Sequence, residues 1–134
     1  MSELYEKAVA HSTTNVTLVT TTETVVISSG PAGVPYDTCL AHILATCQLT
    51  TGTVATAVTP RIRRGTAVGG ALVGEANAVT LGAAAGSTEQ FVIEVTERRS
   101  QVASVEYSLT LEQTAATGNG TVLQAAIAVE VLRG

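Results

Sequence analysis

Apolar residues in this chain recur at every second position, and that period constrains the fold more than any other feature. The segment SVEYSLTLEQT (104–114) shows it without interruption: Val105, Tyr107, Leu109 and Leu111 fall on one side, and Ser104, Glu106, Ser108, Thr110 and Glu112 on the other. Only an extended chain sorts side chains in this way, so the segment is predicted as a strand with one apolar and one wet face.

The same rhythm runs through most of the sequence. NVTLVTTTETVVISSG (15–30) offers Val16 and Leu18, then Val25 and Ile27, with Glu23 in a stretch that can turn or bulge between them. GPAGVPYD (30–37) holds two of the three prolines and reads as a loop. A long strand is predicted from about Tyr36 to Thr50, and VATAVTPRIRRG (54–65) alternates again, with Val58 and Ile62 opposite Thr59, Arg61 and Arg63. Because Pro60 has no N–H, that strand is expected at a sheet edge or bulged. Two short strands are expected around Leu72 and Leu81, and TEQFVIEVTERR (88–99) sends Phe91, Ile93 and Val95 one way and Gln90, Glu94 and Thr96 the other. GNG (118–120) is a strong turn signal and predicts a hairpin into TVLQAAIAVEVL (121–132). In that last strand Leu123, Ala125, Ile127, Val129 and Val131 are assigned inward, leaving Val122, Ala126, Ala128 and Leu132 on an outer face apolar enough to need covering.

Short strands punctuated in this way, in 134 residues, predict an all-β fold: an antiparallel two-sheet β-sandwich, jelly-roll-like, spanning residues 16–134. Jelly-roll and Ig-like topologies share this period, so the pattern leaves both open. Residues 1–15 fall outside the alternation and are expected to form an N-terminal arm, either a short helix or an extended segment.

Composition narrows function by exclusion. Charged residues are only 13% of the chain and about one residue in six is Thr, so the surface is largely neutral. A net charge of −4 and the lack of a basic stripe argue against nucleic acid as a partner. No run of about 18 apolar residues exists to cross a membrane, and the acidic N-terminus has no apolar stretch of a secretory signal. A chain made in a host cytoplasm, with no membrane partner, is expected.

The stretch CLAHILATC (39–47) places two cysteines around His42. In a strand the two sulfurs share a face but lie roughly 26 Å apart, and His42 points the other way. As a helix the separation is still about 12 Å, so neither a disulfide nor a two-cysteine metal site can form within the segment. Two buried, reduced thiols are expected. The catalytic inventory is thin: two histidines, His11 and His42, and a single aspartate, Asp37. Glu94, Glu97, Glu106 and Glu112 read as solvated charges on polar strand faces. RGTAVGG and GAAAG lack the lysine of a phosphate loop. One Phe, three Tyr and no Trp give no platform for stacking bases or sugars. No enzyme activity, cofactor or metal is expected.

The arginines are the one polar concentration. Arg61, Arg63 and Arg64, with Arg98 and Arg99, make up five of the seven basic residues. They read either as charges that block stray pairing at an edge strand or as an interface that meets carboxylates of a partner or a second copy.

The run TPRIRRGTAVGGALVGEANAVTLGAAAGSTEQFVIEV, followed by YSLTLEQTAATGNGTVLQAAIAVEVL, resembles the small Thr-, Ala- and Gly-rich jelly-roll structural proteins encoded by tailed bacteriophages and prophages. The resemblance covers about the last three-fifths of the chain and lies in texture, so no functional residue carries over. It implies a non-enzymatic virion protein of the capsid decoration or minor capsid type, located in the virion. Its partners would be copies of itself, as a homotrimer, and a major capsid protein or another virion protein. The interface would then draw on Arg61, Arg63, Arg64, Arg98 and Arg99 and on Val122, Ala126, Ala128 and Leu132. The alternatives are a ligand- or receptor-binding module of a phage tail or fibre, with a pocket built from 30–37, 65–71 and 98–103, and a small hydrolase using His42 or His11.

Overall fold

The computed structural model describes residues 4–12, 16–17, 22–34, 38–50, 56–81, 88–100, 103–114 and 120–133. The described residues form strands and their connections, with no helix among them. One sheet, A, has the order β1 (Leu4–Ser12), β12 (Thr121–Arg133), β5 (Thr38–Thr50), β9 (Thr88–Ser100), and β2 (Val16–Thr17) continues the β1 edge along β12. The other sheet, B, has the order β3 (Thr24–Ser28), β11 (Tyr107–Gln113), β6 (Thr56–Arg64), β7 (Leu72–Glu75), and β8 (Val79–Leu81) also pairs with β6. A short pair, β4 (Ala32–Gly33) with β10 (Ser104–Val105), sits apart, so part of the predicted 30–37 loop is strand-paired. Residues 35–37 of that loop lie outside the described residues.

Setting the β4–β10 pair aside and joining β1 with β2 and β7 with β8 leaves eight main strands with the sheet orders 1-8-3-6 and 2-7-4-5. Strand 1 pairs with 8, 2 with 7, 3 with 6 and 4 with 5, as in one long antiparallel hairpin rolled up so that 8 meets 3 and 7 meets 4. That is a jelly roll, and it resolves the topology that periodicity left open.

The core lies where the alternation puts it. Cys39, Ala41, Ile43, Ala45, Cys47 and Leu49 of β5 all face inward and are buried, against Val58 and Ile62 of β6 and Tyr107, Leu109 and Leu111 of β11. Ile93 of β9 and Ile127, Val129 and Val131 of β12 belong to the same cluster. At one side the sheets come together through Gly74 of β7, where a Cβ would overlap the Val95 side chain of β9. A residue without a side chain is therefore required at that approach.

Six expectations change, each for a local reason. Residues 4–12 form the edge strand β1 and not a free arm. Their inward residues Ala8 and Ala10 are small while Val9 points out, so hydropathy shows no period of two. The strand containing Pro60 is internal. The Pro60 carbonyl accepts from Ala76 N, so its missing N–H faces the gap between β7 and β8, where no ladder bond is due. Two bulges flip parity: one between Leu109 and Thr110 of the β3–β11 pairing buries Val26 beside Ile27, and one between Val122 and Gln124 turns Val122 inward, 1% exposed, with Leu123 the extra residue.

The outer face of β11 is not wet: Ser108 and Thr110 are buried beneath polar side chains of neighbouring strands. The connection to β12 is not a hairpin, because β11 and β12 belong to different sheets. Its turn residues 118 and 119 lie outside the described residues, while Gly120 N donates to the buried Gln113 Oε1 at 3.1 Å.

Gly74→Ala is expected to cost about 1–3 kcal/mol through overpacking against Val95, read as a lower urea midpoint with an unchanged slope. Adding Val95→Ala should return part of that loss, because the two residues share one contact.

Candidate functional site

The outer face of sheet A is built by strand alternation across β1, β12, β5 and β9. Crossing from edge to edge, Val9 of β1 pairs with Ala128 of β12, Ala128 with Leu44 of β5, and Leu44 with Glu94 of β9. The next row brings Ala126, Thr46 and Val92 into line. Val9 and Val92 are 48% and 63% exposed, whereas Ala126, Ala128 and Leu44 are half-buried between them, giving a shallow apolar band. A charged row borders it: Lys7 lies 3.6 Å from Glu130, and His42 contacts Glu94 at 3.1 Å and Glu130 at 3.8 Å. Leu132 and Leu40 lie beyond that row, beside Arg98.

The outer face of sheet B is closed by ion pairs. Arg61 and Arg63 of β6 project together, and Glu23, at the start of β3, folds over them. Arg61 also meets Glu75 and Glu112, and Thr110 Oγ1 donates to Glu23 at 2.6 Å. The Arg63 bond is the main force holding the Glu23 carboxyl below its usual range; burial opposes it, while Thr110 and the charges of Arg63 and Arg61 add to it. Beneath this layer Ser108 donates to the Gly65 carbonyl, which leaves Ser28 as the donor to Ser108 at 2.8 Å.

A second ionic cluster joins the two sheets at one end. Glu97 continues the inward parity of Phe91, Ile93 and Val95 in β9, and its side chain is only 11% exposed. It accepts from Arg64 of β6, from Arg99 at 3.3 Å and from the Tyr107 hydroxyl at 2.8 Å. Burial pushes the Glu97 carboxyl up, but the bonds from Arg64 and Tyr107 and the nearby guanidinium charges outweigh it, so the net shift is downward. Tyr107 is shifted up by its own burial and by Glu97. The cluster floors an open cleft of about 210 Å³ bounded by Arg64, Gly65, Arg99 and Glu106.

The structure thus gathers the arginines into two separate groups. Arg61 and Arg63 serve one and Arg64 and Arg99 the other, all bonded to glutamates of the same chain, while Arg98 faces outward beside Leu40. Of the apolar candidates, Ala126, Ala128 and Leu132 remain on the outer face and Val122 joins the core. Glu23 and Glu97, the centres of the two clusters, do not stand out by charge pattern; for Glu97 the inward parity of β9 was the available signal. Cys39 and Cys47 are free and buried on one face of β5, as expected from their spacing, and burial pushes the Cys47 thiol up to about 12 and raises Cys39 as well. Such thiols hold their protons and make poor nucleophiles.

No protein-family model and no curated protein sequence matches the chain. Solved structures similar to it include a protein of Bacillus endospore appendages, a novel family of disulfide-linked pili, with 19% identity over 96% of this chain and 93% of that one and a TM-score of 0.45. A chain of the T13 infectious bursal disease virus particle is 10% identical, with a TM-score of 0.50 over 98% of this chain. This chain spans 37% of that viral chain's length. The Gx strain of the same virus gives 11% identity and a TM-score of 0.43. At 10% identity the similarity to the T13 particle chain is one of fold alone.

Both clustered glutamates titrate below an ordinary Glu, near 4.3, in the folded chain. Their stabilisation is therefore complete above that pH and is lost as the pH falls through the lowered folded values. Thermal melting between pH 7 and 2 should show the loss on the acid side. Glu97→Gln should cost about 2 kcal/mol at pH 7 and flatten the acid limb.

Proposed function

We propose that this chain is a non-enzymatic structural subunit of a virion, acting as a capsid decoration protein that associates with copies of itself and binds the particle surface. The observation that carries the reading is the outer face of sheet A, where half-buried Ala126 and Ala128 lie between exposed Val9 and Val92 on a strand-built surface. The jelly-roll topology of this chain, with its similarity in fold to a chain of the infectious bursal disease virus particle, supports a building-block role. So does the chemistry of the polar groups. Glu23 and Glu97 have their oxygens engaged by arginines, and both thiols are held protonated, which suits a rigid frame better than a reacting centre.

In this reading three copies meet through the outer faces of β12 and β5, leaving the loop end of the sandwich for a major capsid protein. The small side chains at positions 126 and 128 let a partner surface approach closely, and the charged row through Lys7, Glu130 and His42 fixes its orientation.

A second reading has one observation in its favour. The cleft lined by Arg64, Arg99 and Tyr107 also includes Gly65, and it touches two of the loop regions expected for a receptor-binding tip of a tail or fibre. Arg99→Ala would weaken ligand capture in that case and leave the oligomer intact.

Light scattering on a sizing column is expected to give a mass near three times the 13.6 kDa chain. Ala128→Lys should reduce it to a single chain, because a lysine ammonium placed in the apolar band would be desolvated. A variant of unchanged mass would overturn association through this face.

A further inference from the structure

We infer that β1 is an exchangeable strand: the edge of β12 that it occupies is a docking groove for β1 of a second copy. The inference rests on the proposed self-association and supplies its linkage.

The binding partner is already present in the chain. β1 runs antiparallel to β12 from Leu4 opposite Leu132 to Ser12 opposite Ala125, so a backbone ladder along one edge ties it to the sheet. Its described inward side chains are Ala8 and Ala10, which are only half-buried. Across the ladder, Ile127, Val129 and Val131 are 0–1% exposed and belong to the core. Among the described residues, burial thus resides in β12, while the inward side chains of β1 contribute small methyl groups beside the hydrogen-bonded ladder. Outward, Val9 is 48% exposed and Lys7 reaches the partly exposed Glu130 at 3.6 Å, a contact that any copy of β1 can repeat.

β2 pairs with the same strand further along, Val16 opposite Val122, and can keep its place when β1 leaves. Residues 13–15 separate the two segments. Because a second copy of β1 would make the same contacts as the first, closed and exchanged forms differ chiefly by concentration, and crowding copies onto one particle favours exchange. The departing β1 leaves the edge of β12 unpaired until a strand enters, and β1 of a second copy restores the same ladder in the same register.

Facing cysteines in full-length chains test this. Val9→Cys and Ala128→Cys stand opposite each other on the outer face, and the native cysteines are buried. The two single variants, refolded together and bridged with a short bifunctional thiol reagent, should yield a cross-linked product of twice the 13.6 kDa mass that peptide mapping assigns to positions 9 and 128. Thr96→Cys, on β9 of the same face, serves as the register control and should give no bridge to position 9. A double variant carrying both Val9→Cys and Ala128→Cys that closes only within one chain, with no product from the mixed singles, would overturn strand exchange. Bridging of position 9 to 96 as readily as to 128 would overturn it too, while leaving face-to-face association standing. A wild-type chain that is monomeric by light scattering, together with a double variant that bridges only internally, would remove both readings.

Discussion

The ladder between β12 and β5 is the interaction on which the rest of the structure depends. Each strand is 13 residues long, and they pair from Thr121 opposite Thr50 to Arg133 opposite Cys39. The other edge of β5 carries β9, and the other edge of β12 carries β1 and β2. With inward residues nearly all buried on both, the pair fixes the register of sheet A and so the height at which sheet B packs. A slip of β12 by one residue against β5 would turn Ile127, Val129 and Val131 outward together, a cost that no loop could recover.

The polar side of the fold follows from the same constraint. Two sheets wound from one rolled hairpin leave open ends and outer faces, and the sequence closes them with arginines set against glutamates. Glu97 accepts from Arg64 of one sheet and from Arg99 and Tyr107, joining strands that share no ladder. Glu23 does the same between the start of β3 and β6. In a chain with only 13% charged residues, this leaves few charges to face solvent, and the surface is left to Thr, Ser and Ala.

Much of this was legible from period two. The faces of β5, β6 and β9 lie where alternation placed them, as do the two short strands at Leu72 and Leu81. What escaped has definite causes. β1 hides because alanines face inward and valine outward, the reverse of the usual contrast. Val122 and Val26 are displaced by single-residue bulges, which periodicity cannot locate in advance. The buried hydroxyls of β11 depend on Glu23 reaching back from another strand, and GNG leads between sheets because the rolled topology, not the local turn, decides the partner. Among the candidate residues, alternation placed Ala126, Ala128 and Leu132 correctly, while the bonding of the arginines is a property of tertiary neighbours.

The interruption opposite Pro60 has a further meaning. One margin of sheet B consists of a four-residue and a three-residue strand with three residues between them, and it turns against β9 at Gly74. A foreign strand arriving there finds no continuous row of donors and acceptors, so fibril growth cannot be templated from that side. The proline that seemed to mark an edge instead blunts one, and lateral growth by strand pairing is left to other margins of the molecule.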